Sequence, residues 1–161
     1  VILFQAGAQG ASMDDSARVT SEAAAEPVGP YPHARRCGDL LFLSGIGPRR
    51  RGTSEIPGVT RDASGRVIAH DIEAQFLSTV ENVRHVLQAA GAAWEDIVDV
   101  TVFLTDMKAD FAAYNRLYAE HFAGPGRPNP ARTTVEVTAL PTPIAIEMKI
   151  IAAPGRRPPP P

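Results

Sequence analysis

The sequence has a single cysteine, Cys37. One thiol cannot close an internal disulfide, which fits a reducing compartment, so the expected location is the cytoplasm. Neither charge is in excess: 16 Lys and Arg stand against 18 Asp and Glu, a formal net charge of −2. A nucleic-acid binder carries a basic footprint, and this balance argues against one. No run approaches the ~20 apolar residues of a membrane span. The segment Val1 to Ala11 lacks a basic leader and is too short and polar for a secretory signal. Met13 offers a natural start, which makes residues 1–12 an upstream extension or a vector-derived remnant. The four histidines, His33, His70, His85 and His121, are scattered, with no HExxH or CxxC, so no metal site is expected. A GxGxxG fingerprint, a Walker loop and a GxSxG elbow are also missing, which argues against a nucleotide fold and a serine hydrolase.

Hydrophobic residues make up 44% and charged residues 21% of the 161, enough for one globular core. Residues 1–27 are small and polar and read as a flexible N-terminal arm. The closing Arg156-Arg157-Pro158-Pro159-Pro160-Pro161 places a proline-rich tail at 155–161. The folded domain is expected over 28–154.

Within it, residues 33–37 and the doubly apolar 40–44 read as strands. The stretch 45–69 reads as a long loop, with a short hairpin around Ser64-Gly65. Asp71 can cap a helix whose stripe is Ile72, Phe76, Val80, Val83, Leu87 and Ala90, and Gly91 ends it. A strand over 97–105 is expected to bury Val98, Val100, Val102 and Leu104. A second helix over 109–123 turns Phe111, Tyr114, Leu117, Tyr118 and Phe122 inward. Alternation marks two more strands, 132–138 and 144–152. The order predicts an α+β fold with two helices on one face of a mixed sheet. The other face is assigned Thr101, Phe103, Arg132, Thr134 and Glu147. It is too apolar to be wet and too charged to be core, as a subunit interface holding a polar site would be.

Two groups could carry chemistry. Arg49-Arg50-Arg51 is either a solvated loop or an anion clamp. Arg132 and Glu147 are either a cross-strand ion pair or an anchor for a substrate carboxylate beside a glutamate that handles water. Ser44 and Cys37 show no activating partner in sequence.

Several blocks occur together: Gly29-Pro30-Tyr31, Leu43-Ser44-Gly45, Asn82, Thr101-Val102-Phe103-Leu104, Tyr114-Asn115, Pro130-Ala131-Arg132-Thr133-Thr134, Leu140-Pro141 and Ile146-Glu147. In this combination the chain resembles the RidA (YjgF) family of enamine/imine deaminases, over about Gly29 to Ala153. The resemblance implies a chorismate-mutase-like fold and a homotrimer with clefts between subunits. It implies a small imino or enamino acid as substrate and no cofactor. It places a substrate carboxylate on Arg132 and the attacking water on Glu147. Tyr31, Ser44 and Asn115 would line or support the cleft. Thr134 stands where some members have cysteine, and Lys149 where archetypal members have a second glutamate. Pro30-Tyr31-Pro32-His33, the Pro48-Arg49-Arg50 loop and Glu147-Met148-Lys149 are most similar to the 2-aminomuconate deaminase branch. With 2-aminomuconate as substrate, at least one of Arg49, Arg50 and Arg51 is expected to meet its distal carboxylate, with His33 as the reserve candidate. A generic 2-iminopropanoate/2-iminobutanoate deaminase is the first alternative. A non-catalytic, ligand-binding or chaperone-like trimer is the second.

Overall fold

The structure, a computed structural model, describes residues 15–155. The upstream extension at 1–12 and the proline tail from 156 lie outside the described residues. The strands are β1 (Arg18–Val19), β2 (Ala34–Cys37), β3 (Leu40–Leu43), β4 (Val59–Arg61), β5 (Val67–His70), β6 (Ile97–Leu104), β7 (Ala131–Glu136) and β8 (Ile146–Ala152). The helices are α1 (Ile72–Ala89) and α2 (Met107–Phe122). The main sheet runs β1-β2-β3-β8-β6-β7. Its one parallel pairing is β6 with β7, the two strands that α2 connects. The β4–β5 hairpin is separate and brackets the turn that holds Ser64-Gly65.

Helix α1 begins where its chemistry dictates. The Asp71 carboxylate accepts from the Glu73 and Ala74 backbone N–H groups, two of the donors a helix start leaves open. Ile72, Phe76, Val80, Val83 and Leu87 are buried along one stripe. Gly91 then takes a φ of 68°, a left-handed turn that glycine adopts without a Cβ penalty. Asp106 caps α2 in the same way, through Ala109 N–H. Tyr114, Leu117, Tyr118 and Phe122 are buried as expected, but Phe111 is exposed and lies edge-on to Tyr114.

The core lies between the helices and one sheet face. That face presents Leu41, Leu43, Val100, Val102, Leu104, Ile146, Met148 and Ile150, all fully buried. An irregularity between Ile97 and Asp99 breaks the register of β6 with β8. Ile97 therefore enters the core, and Val98, expected there, is exposed. The opposite face carries Leu40, Phe42, Thr101, Phe103, Val135, Glu147, Lys149 and Ile151, partly or fully exposed.

Two further expectations need correction. Residues 15–27 are not a loose arm. Strand β1 pairs with β2, and Ser21 and Ala24 are 1% exposed. The packed unit therefore starts before residue 28. The second correction concerns Arg132 and Thr134, which lie on the helix face. Their register partners are Val100 and Val102, both core residues. Of Arg132, Thr134 and Glu147, only Glu147, opposite Phe103, sits on the open face. A cross-strand pair between Arg132 and Glu147 is thereby excluded.

Candidate active site

One cleft gathers much of the expected site. Tyr31, His33, Ser44, Arg49 and Glu147 line it, with Ala24 to Val28, Gly45 to Gly47, Asn82, Pro141, Thr142 and Ile144. Glu147 arrives from β8, and Ser44 and Gly45 leave the end of β3. Gly45 makes the approach possible: a Cβ there would lie 2.7 Å from the Glu147 carboxyl carbon, closer than any real contact. Burial raises the Glu147 carboxyl above its ordinary value of 4.5, and the charge of Arg49 opposes that rise. No hydrogen bond holds this carboxylate among the described residues.

The neighbours of Glu147 are fixed. Ser44 Oγ donates to the Pro32 carbonyl at 2.7 Å. Asn82, on α1, donates through Nδ2 to the Gly47 and Arg49 carbonyls at 2.9 and 2.8 Å. Its Oδ1 accepts from Ala25 N–H at 3.3 Å. One buried amide thus ties the 45–49 loop to the 21–28 wall. In the sequence Asn82 stands out only through the family resemblance, which gives it no role.

The basic residues divide by role. His33 is 3% exposed. Its Nδ1 accepts from Ser21 N–H at 3.1 Å, so Nε2 donates to the Ala25 carbonyl at 3.0 Å. Both ring nitrogens are thus spent on the wall, and the ring offers no donor to a ligand. Arg51 clamps the same wall from outside, donating to the Ser21 and Ala24 carbonyls and pairing with Glu22 and Glu26. Arg50 reaches out to Glu55 at 3.7 Å. Arg49 donates to the Glu26 carbonyl and lines the cleft. Of the triplet, Arg49 alone lines this cleft.

The remaining expected residues form a second cluster around α2 and β7. Asn115 Oδ1 accepts from Arg132 Nη1 at 2.8 Å. The Arg132 guanidinium lies over Tyr118, 4.6 Å from the ring centroid, and 5.7 Å from Tyr114. The Tyr114 hydroxyl bonds Thr134 Oγ1 at 2.9 Å. Burial pushes the Tyr118 hydroxyl up to about 12, so it stays protonated at neutral pH. The structure therefore brings Arg132, Asn115 and Thr134 together, and Glu147, Tyr31, Ser44 and Arg49 together. Within the sheet, Arg132 and Thr134 project from the helix face and Glu147 from the other.

The family model described as Endoribonuclease L-PSP matches residues 21–154. The chain belongs to this family, that of RidA and YjgF. Among RidA/YjgF relatives, a RutC family protein of Pyrococcus horikoshii is 38% identical over 134 residues, covering 83% of this chain and 94% of that protein. A 2-iminobutanoate/2-iminopropanoate deaminase of Escherichia coli K12 is 34% identical, covering 85% of this chain and 97% of that one. The structure of E. coli TdcF with bound serine superposes with a TM-score of 0.71 at 32% identity, covering 84% of this chain and 97% of TdcF. The α+β fold, a mixed sheet with two helices, is the RidA/YjgF fold. Among the described residues no helix is long and apolar enough to cross a membrane.

Proposed function

We propose that the protein hydrolyses the imine tautomer of a 2-amino acid to a 2-oxo acid and ammonia, without a cofactor. One observation carries this reading. The Glu147 carboxylate stands half-buried in a cleft, raised by burial and not held by a hydrogen bond, as a group that accepts a proton from water should be. Relatives at 34% identity named 2-iminobutanoate/2-iminopropanoate deaminase and Reactive Intermediate Deaminase A support the same chemistry. A net charge of −2 lends no support to a polynucleotide substrate.

The substrate carboxylate needs a cation. Arg132 contacts Asn115 and Tyr118 but lies across the sheet from Glu147 in its own chain. The reading therefore takes Arg132 from a second copy, in a homotrimer with one cleft at each subunit boundary. The open sheet face supports this: Phe42, Phe103, Val135 and Ile151 leave more apolar surface there than a wet face would carry. In the cleft, Glu147 draws a proton from water as the oxygen adds to the imine carbon. Glu147 passes that proton to the nitrogen, giving the carbinolamine. The carbinolamine hydroxyl then gives up its proton, by way of Glu147, to the nitrogen as the C–N bond breaks, leaving the 2-oxo acid and ammonia. An imine is already electrophilic, so positioning supplies much of the rate.

Within this class, 2-aminomuconate is the substrate we favour over a short 2-imino acid. Its second carboxylate needs a second cation, and Arg49 lines the Glu147 cleft. At pH 8, Arg49→Met should raise KM for 2-aminomuconate about fivefold, the scale of one partly exposed ion pair. Turnover of 2-iminopropanoate should hardly change. The variant should also move the acid limb of activity to higher pH, because Arg49 favours the charged form of Glu147. Steady-state kinetics on both substrates from pH 5 to 9 check this. Equal KM changes would favour the generic deaminase. A wild type that turns over neither substrate would favour a ligand-binding trimer.

A further inference from the structure

We propose that Tyr118 is a positioning residue whose aromatic face aims the Arg132 guanidinium at the substrate carboxylate. The proposal rests on reading Arg132 as the carboxylate anchor. Arg132 is an exposed, long side chain on the edge strand β7 and would otherwise sample many rotamers. Three side chains restrict it: Asn115, Tyr118 and, farther off, Tyr114. Asn115 Oδ1 engages Nη1, and the guanidinium carbon lies 4.6 Å over the Tyr118 ring. Asn115 and Tyr118 are three residues apart, so α2 offers both from one face. With one nitrogen and one face engaged, the Nη2 edge is the part left to meet a carboxylate.

Tyr118 suits this task because it is itself immobilised. Its ring stacks on Phe122 at 4.3 Å and 12°, and meets Tyr114 edge-on at 5.9 Å. It is 7% exposed. Its hydroxyl is buried with no hydrogen-bond partner among the described residues. The face of the ring is therefore the working part, and the hydroxyl is dispensable. Tyr114 lies farther from Arg132, whose guanidinium carbon is 5.7 Å from its ring centroid, and its hydroxyl bonds Thr134 and also interacts with Arg132.

The test measures affinity for 2-oxobutanoate, a hydrolysis-inert 2-oxo acid, by calorimetry. It also measures kcat and KM with 2-iminobutanoate generated in situ. Tyr118→Phe keeps the ring face and should match wild type within about twofold. Tyr118→Leu should weaken 2-oxobutanoate and raise KM by about three- to tenfold, the range of a cation–π contact, with kcat little changed. In an Arg132→Ala background, Tyr118→Leu should have no further effect on affinity. Pentafluorophenylalanine in place of Tyr118 keeps the shape of the ring but inverts its quadrupole. It should reproduce the effect of the leucine substitution, and it decides the matter if Tyr118→Leu does not fold. An unchanged KM in the pentafluoro variant overturns the proposal, as does an equal effect of Tyr118→Leu with and without Arg132. If Arg132→Ala itself binds 2-oxobutanoate normally, the anchor reading fails first and the Tyr118 proposal falls with it.

Discussion

Arg132→Ala is expected to lower kcat/KM for any 2-imino acid by roughly 30- to 4,000-fold, the equivalent of ~2–5 kcal/mol for an enclosed charge pair losing one member. The loss should fall on catalysis and binding rather than on folding. The side chain is exposed, and its contacts are one amide bond to Asn115 and the faces of Tyr118 and Tyr114. Arg132→Lys should recover only part of the activity. An ammonium cannot give two parallel N–H···O bonds, and it would not lie flat on Tyr118. Kinetics with an in-situ imine source, alongside sedimentation of the same samples, separate the two effects. Near-normal turnover in the alanine variant would return Arg132 to a surface role.

Glu147→Gln is expected to cut kcat by about 10²–10⁴, the usual contribution of a positioned base, while ligand affinity is kept. The amide fills the same space over Gly45 but cannot take a proton from water. The pH dependence provides a second check. Burial raises the Glu147 carboxyl above 4.5, so wild-type activity should fall through an acid limb above that pH, and the Gln variant should lack the limb. Stability should move the other way. A carboxyl raised in the folded state binds its proton more tightly there than in the unfolded chain. Its contribution is full below pH 4.5 and is lost as pH rises through the folded value. At neutral pH the charged group opposes folding, so Glu147→Gln should raise Tm slightly as activity disappears. A lower Tm with intact turnover would make Glu147 a packing residue.

Local signals in the sequence are reliable where the physics is local. The Asp71 cap, the α1 stripe and the Gly91 stop all act within a few residues, and the helix forms where they point. Strand β7 misleads because its apolar row is on the other side. Val135 looks outward, and the helix-facing row is Arg132, Thr134 and Glu136. Alternation reveals that two faces differ, but it does not say which one meets a helix. The wall at 21–28 is illegible for another reason. Its short polar residues carry no period, and what holds them comes from Arg51, Asn82 and His33, remote in sequence for the first two. Glu147, Ser44, Tyr31 and Arg49 do meet in one cleft. Their convergence is implied by the family resemblance rather than by any spacing.

The separation of Arg132 and Glu147 onto opposite sides of one sheet has a genetic meaning. In the proposed trimer each cleft draws its anchor from one polypeptide and its base from the next. Two alleles, one encoding Arg132→Ala and the other Glu147→Gln, would each be silent alone. Co-expressed, their chains would form mixed rings in which some boundaries combine an intact Arg132 with an intact Glu147, about a quarter of them for random equal mixing in a cyclic assembly. Neither chain would be repaired, yet the cell would regain turnover, and a double mutant carried on one allele beside either single would not do so.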